Sequence, residues 1–129
     1  MPALDTQFIH LGPDATAIAQ PPFTDGSWYE GYGDRHDGDG VDCRLVSMYS
    51  FTADWESWEM HPAGEEVVLC TAGAMTLHQQ FSDGTTATVT LHPGDYAINP
   101  RGCWHTADIA GTATAVFITA GLGTEGRPR

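Results

Sequence analysis

The stretch WEMHPAGEE, residues Trp58 to Glu66, sets a single histidine among three carboxylates. Read as an extended strand, its first half turns Ser57, Glu59 and His61 to one face and Trp58 and Met60 to the other, because side chains alternate along a strand. After a turn at PAG the chain re-enters a strand in which Glu66, Val68 and Cys70 share a face. If that face is the same interior, Glu66 joins Glu59 and His61, and Glu65 is left in water. A carboxylate and an imidazole enclosed in this way need pairing or a metal to offset their desolvation.

Outward from this stretch the texture is that of a β protein. From Val41 on, short segments rich in β-branched and aromatic residues are separated by Gly, Pro and Asp. Strands are predicted over Arg44 to Phe51, Ser57 to His61, Glu66 to Thr71, Ala74 to Phe81, Thr86 to His92, Asp95 to Asn99, His105 to Ile109 and Thr112 to Ala120. The Asp-Gly pair in SDGT, Ser82 to Thr85, predicts a tight antiparallel hairpin, and HPGD, His92 to Asp95, a second turn. Such a series fits a sandwich, a jelly roll or a small barrel over residues 41–121. Residues 1–40, with Pro2, Pro13, Pro21 and Pro22, read as an irregular arm with one or two short strands, and residues 122–129 as a tail. SWYEGYG, Ser27 to Gly33, reads first as an edge strand and second as a cover over an open end of the core; no helix beyond about two turns is expected.

Length and composition narrow the function classes. A chain of 129 residues is one domain. Its formal net charge is −12, from 5 Lys+Arg against 17 Asp+Glu, which argues against nucleic acid and anionic membrane as partners. Part of that acidity lies in DRHDGDGVD, Asp34 to Asp42, which reads as a solvated loop. Cys43, Cys70 and Cys103 follow no metal-finger spacing, and an odd count without an apolar leader points to reduced thiols in a cytoplasmic protein. No apolar run approaches the roughly 18 residues of a membrane span.

A second stretch, GDYAINPRGCWHT from Gly94 to Thr106, brings in His105 after a Pro-x-Gly turn. With it the chain resembles a small single-domain cupin of the type 2, RmlC-like kind. The first cupin motif, His-x-His, three or four residues, Glu, six residues, Gly, is matched by Glu59-x-His61, Glu66 and Gly73. The second, Gly, five residues, Pro-x-Gly, two residues, His, three residues, Asn, is matched by Gly94, Pro100, Gly102 and His105, with Ile109 in the place of Asn. Glu59 stands where the family has its first histidine, and Ala53 where the first motif opens with Gly.

The resemblance implies an all-β double-stranded β-helix, or jelly roll, a metal inside the barrel mouth and a homodimer. His61, Glu66 and His105 would then supply the two imidazoles and one carboxylate that leave open positions on a metal such as non-haem Fe(II). Glu59 is either a fourth ligand or a catalytic base beside the metal, its pKa raised by an apolar barrel. Such a set suits one divalent transition metal, Fe, Mn or Zn before Ni. Ser57, Cys70 and Ala107 share parity with these residues and are expected to line the pocket, with Tyr49, Phe51 and Phe117 at its apolar end. His10, His36 and His92 are expected at exposed positions, and His78 on either face of its strand. The function expected is a metal-dependent enzyme on a small organic molecule, a dioxygenase or an isomerase or lyase. A non-catalytic sensor or binding module of the same fold is the alternative, and a sugar epimerase is disfavoured by the scarcity of basic residues.

Overall fold

Alternation in the sequence becomes alternation in burial. The computed structural model describes all 129 residues, and along β5 (Glu66–Gly73), β6 (Met75–Gln80) and β10 (Ala113–Thr119) every second residue is buried until the strand leaves the core. The remaining strands and the α-helix are β1 (Ile9–Leu11), β2 (Ala17–Ala19), α1 (Trp28–His36), β3 (Arg44–Phe51), β4 (Ser57–Met60), β7 (Thr86–Leu91), β8 (Tyr96–Asn99), β9 (Trp104–Asp108) and β11 (Glu125–Pro128). Two antiparallel sheets result, in the orders β2-β1-β3-β10-β5-β8 and β11-β4-β9-β6-β7. The fold is an all-β jelly roll, and each strand expected after Val41 is present within two residues of its predicted ends.

The turns explain the chain path. SDGT closes the β6–β7 hairpin, with Gly84 at φ +88° and the Asp83 carboxylate accepting from the Thr85 N–H. Gly73 sits at φ +68°, where a Cβ would come within 2.0 Å of the Thr112 carbonyl oxygen, so no other residue fits. Inside, Val68, Cys70, Met75, Leu77, Ala107, Ile109 and Phe117 belong to one apolar cluster. Along β5 the buried series runs Glu66, Val68, Cys70, so the same face carries a carboxylate at one end and the core beyond it.

Three expectations are corrected here. SWYEGYG is no edge strand: Trp28 to His36 form a nine-residue helix, longer than expected. Trp28, Tyr32 and His36 fall four residues apart on one helical face, and Trp28 and Tyr32 stack with centroids 5.3 Å apart. That face meets Phe8 and Phe23, so a second aromatic cluster lies under the helix. Residues 125–128 pair with β4 as β11, so the last residues are part of a sheet. His10 is 1% exposed and His36 is half-buried, whereas His92 is exposed as expected.

His10, His36 and Asp39 fasten the helix to β1. His10 Nε2 and His36 Nδ1 each lie 2.9 Å from the same Asp39 oxygen, Tyr32 meets His10 Nδ1 at 2.6 Å, and Gln20 Nε2 donates to His36 Nε2 at 3.0 Å. Burial lowers the His10 pKa against the pull of Asp39, and hydrogen bonds from His36 and His10 lower that of Asp39. Both groups thus bind protons more weakly folded than unfolded. The His10 contribution to stability is complete above its ordinary value of 6.5 and is lost as pH falls below it; that of Asp39 fades only in acid below 3.8. Hydrogen exchange of the α1 amides, corrected for intrinsic rate, should accelerate between about pH 7.5 and about pH 5, and Asp39→Ala should produce the same acceleration at the higher pH.

Candidate metal centre

Three strands and two turns bring the candidate ligands together. Glu59 stands opposite His105 in the β4–β9 register, and Glu66 opposite Asn99 in the β5–β8 register. The Pro100-x-Gly102 turn returns to the first motif, since the Gly102 N–H, at φ +78°, donates to the His61 carbonyl at 3.2 Å. His61, Glu66 and His105 are buried, whereas the Glu59 side chain is 47% exposed and the neighbouring Glu65 faces solvent.

Hydrogen-bond partners set the protonation of both imidazoles. The Thr124 hydroxyl donates to the Gly121 carbonyl, so towards His61 Nδ1, 2.8 Å away, it accepts. His105 Nδ1 faces the Cys103 carbonyl at 3.3 Å, which can only accept. In the neutral rings both Nδ1 atoms therefore carry the proton, and both Nε2 atoms present a lone pair. Those atoms stand 3.1 and 3.2 Å from the two oxygens of Glu66, and neither is aligned as a hydrogen bond. Glu66 is held in turn by Asn99 Nδ2 at 3.0 Å on one oxygen and by the Thr119 hydroxyl at 2.5 Å on the other. Gln79 Nε2 donates to Asn99 Oδ1 at 2.8 Å and fixes which way that amide points.

Acceptors facing acceptors at this range repel unless a cation lies between them. A proton is one candidate: burial lowers the His105 pKa, but Glu66 beside it outweighs burial and the net direction is up. Burial likewise raises Glu66, yet His105 and His61 together hold its carboxyl well below the ordinary range. A divalent metal is the other. Ligand atoms of Glu59, His61 and His105 lie within 4.8 Å of one another, with Glu59 Oε2 4.0 Å from His61 Nε2. The His10–His36–Asp39 group has similar spacing, but each of its ring nitrogens has a partner, so nothing there calls for an ion.

The site opens into a cavity of about 790 Å³ between the barrel mouth and the arm. Of the residues expected to line it, Ser57, Tyr49, Phe51 and Phe117 do so. Cys70 and Ala107 do not; both are 0% exposed within the apolar cluster. Asn99, Thr119, Thr124 and Gln79 were not foreseen. Asn99 alone had a signal, as the residue before the motif proline and the register partner of Glu66. His78 lies on the outer face, 2.7 Å from Asp108.

Two sheets closed as a jelly roll, with two imidazoles and a carboxylate converging at the mouth, define the cupin class. The Cupin domain family model matches residues 52–121, more than half of the chain, and the chain belongs to that family. No curated protein matches it. Among solved structures it is similar to Peruvianin-I, a cysteine peptidase from Thevetia peruviana latex, with 21% identity, TM-score 0.55, and 67% of this chain and 55% of the other covered. It is also similar to recombinant oxalate oxidase in complex with glycolate, with 16% identity, TM-score 0.56, and 64% and 45% covered. A hydroquinone 1,2-dioxygenase in complex with Cd2+ and 4-hydroxybenzonitrile gives 12% identity, TM-score 0.53, and 59% and 56% covered. The chain spans about half the length of these proteins, and the likeness is one of fold.

The Gln79–Asn99–Glu66 chain is testable by itself. Asn99→Ala leaves a buried carboxylate oxygen and the Gln79 amide each short of a partner, and should lower unfolding free energy by about 1–3 kcal/mol in a urea titration at neutral pH.

Proposed function

We propose that the protein is a metal-dependent cupin enzyme acting on a small organic molecule, with His61, Glu66 and His105 holding one divalent transition metal. The observation that carries this reading is the pair of unpartnered Nε2 lone pairs aimed at the carboxylate of Glu66. Two imidazoles and one or two carboxylates form a borderline-to-hard set that suits Fe, Mn or Zn, with Ni also admissible. Bound there, such an ion supplies Lewis acidity and, for Fe or Mn, dioxygen chemistry.

The chain's own residues do the rest. Thr124 and the Cys103 carbonyl hold the imidazoles in the tautomer a metal requires, and Asn99 and Thr119 hold the carboxylate. Glu59, on the cavity wall, either completes the ligand set or takes a proton from the substrate as general base. The arm, with α1, encloses the cavity and limits water. The fold likeness to an oxalate oxidase and to a hydroquinone 1,2-dioxygenase is consistent with oxidative chemistry; isomerase or lyase chemistry uses the same ligands.

Elemental analysis of protein purified without chelating resin should show close to one divalent transition metal per chain, absent from His105→Ala and from His61→Ala. A wild-type chain that refuses reconstitution with Fe, Mn, Zn and Ni overturns the reading. Glu59→Gln separates its two roles: loss of metal marks a ligand, and retained metal with lost turnover marks a base.

A further inference from the structure

Val67-Val68-Leu69-Cys70 on β5, Ala115-Val116-Phe117-Ile118 on β10 and Tyr96-Ala97-Ile98 on β8 are unbroken apolar runs. An antiparallel sheet that buries one face and wets the other alternates apolar with polar residues, whereas unbroken runs belong to strands covered on both faces. The inner members of these runs, Val68, Cys70, Ala115 and Phe117, fill the barrel. The outer members take no part in either buried cluster and do not line the cavity, and Tyr96 and Ile98 are 65% and 46% exposed.

Register joins the outer residues into two rows that cross the sheet. Ile9, Val46, Ile118, Val67 and Ile98 stand opposite one another on β1, β3, β10, β5 and β8. Met48, Val116, Leu69 and Tyr96 form the next row on β3, β10, β5 and β8. Ser50 and Thr114, whose hydroxyls meet at 2.8 Å, bound the face at one end, and Arg44 bounds it at the other. The second sheet is built differently: its outer face carries Thr76 against Thr90, and His78 against Thr88 and Asp108, all hydrogen-bonded as a wetted face requires.

Charge and size select what covers the apolar face. In a two-fold contact the same patch serves on both sides, so a net charge on it would repel itself. The chain carries 17 Asp+Glu, yet none stands in these two rows or at the positions that bound them. A basic partner would call for carboxylates here, and an acidic one for more than the single marginal Arg44. At about 4.8 Å between strands and about 3.4 Å per residue, the six strands cover on the order of 500 Å² in plan, which side-chain relief brings near the ~600–800 Å² that each member of a stable dimer buries. An apolar centre with a hydroxyl rim is also the anatomy of such an interface.

From these observations we propose that two copies of the chain pair through the outer face of the β2-β1-β3-β10-β5-β8 sheet, one sheet stacked on the other about 10 Å away. The pairing goes beyond the proposed function and does not rest on the metal.

Light scattering of the eluting full chain, loaded at about 100 µM, should give twice the mass of one chain. Val116→Lys places like charges at the middle of the contact and leaves the barrel interior untouched. It should weaken association by at least about a hundredfold and elute as a single chain with an unchanged far-UV circular dichroism spectrum. Thr88→Lys, on the outer face of the other sheet, should still pair. The wild type decides even where Val116→Lys does not fold: in a single chain Tyr96 is more exposed than Tyr29, 65% against 43%, and pairing should reverse their order of hydroxyl-radical labelling. The proposal is overturned by a wild type of one-chain mass, which leaves the face to another partner, or by a mass that climbs past two chains without a plateau. It is equally overturned by a folded Val116→Lys that still pairs, by a Thr88→Lys that does not, or by Tyr96 labelled more heavily than Tyr29 in the concentrated wild type.

Discussion

Two imidazole lone pairs held against one buried carboxylate are the constraint on which the rest of this barrel mouth depends. Left to themselves, His61 and Glu66 would rotate into a hydrogen-bonded ion pair, as would His105 and Glu66. Each is prevented from behind: Thr124 and the Cys103 carbonyl fix the rings, and Asn99 and Thr119 fix the carboxylate. Buried hydrogen bonds that hold acceptor against acceptor in this way are the support that the proposed metal centre requires.

The arm shows what the same residue types do without that constraint. His10, His36 and Asp39 converge as closely as the barrel group, yet every ring nitrogen finds a complementary partner. Their work is to fix α1 and its aromatic face over β1 and β3, which gives the cavity its roof. Convergence of ligand atoms is therefore a weak criterion; what separates the two clusters is whether the atoms are satisfied.

The barrel was legible because several of its strands, β5, β6 and β10 above all, carry a period-two pattern bounded by turn signals, and because the motif residues recur at fixed spacing. Glu59, His61, Glu66 and His105 converge for the same reason: parity and register place them. Parity does not encode depth. Cys70 shares a face with Glu66 but lies four residues on, about 13 Å further along the strand and inside the closed end, and Ala107 follows His105 in the same way. The helix was hidden by Gly31 and Gly33, which lower helix propensity, while the spacing that reveals it, Trp28, Tyr32 and His36, belongs to a face with no local partner. Its partners, Phe8 and Phe23, come from the arm, and only tertiary packing joins them. Strand β11 was unreadable for a like reason: Glu-Gly-Arg-Pro has no strand character, and it is held by pairing with β4 and by Arg127 over the Trp104 ring at 4.3 Å.

That last contact ties the end of the chain to the chemistry. Thr124, which sets the His61 tautomer, immediately precedes β11, and β11 is the edge strand beside the strand that carries Glu59. The orientation of one proposed ligand thus depends on a short edge strand held by its pairing with β4 and by Arg127, which also donates to Gln80 at 2.6 Å. Gln80 neighbours Gln79, whose amide begins the hydrogen-bonded chain to Glu66. Gln79 lies in the same sheet as β11, whereas Asn99 on β8 and Thr119 on β10, which hold the carboxylate directly, belong to the other, so the proposed centre is braced where the two sheets meet.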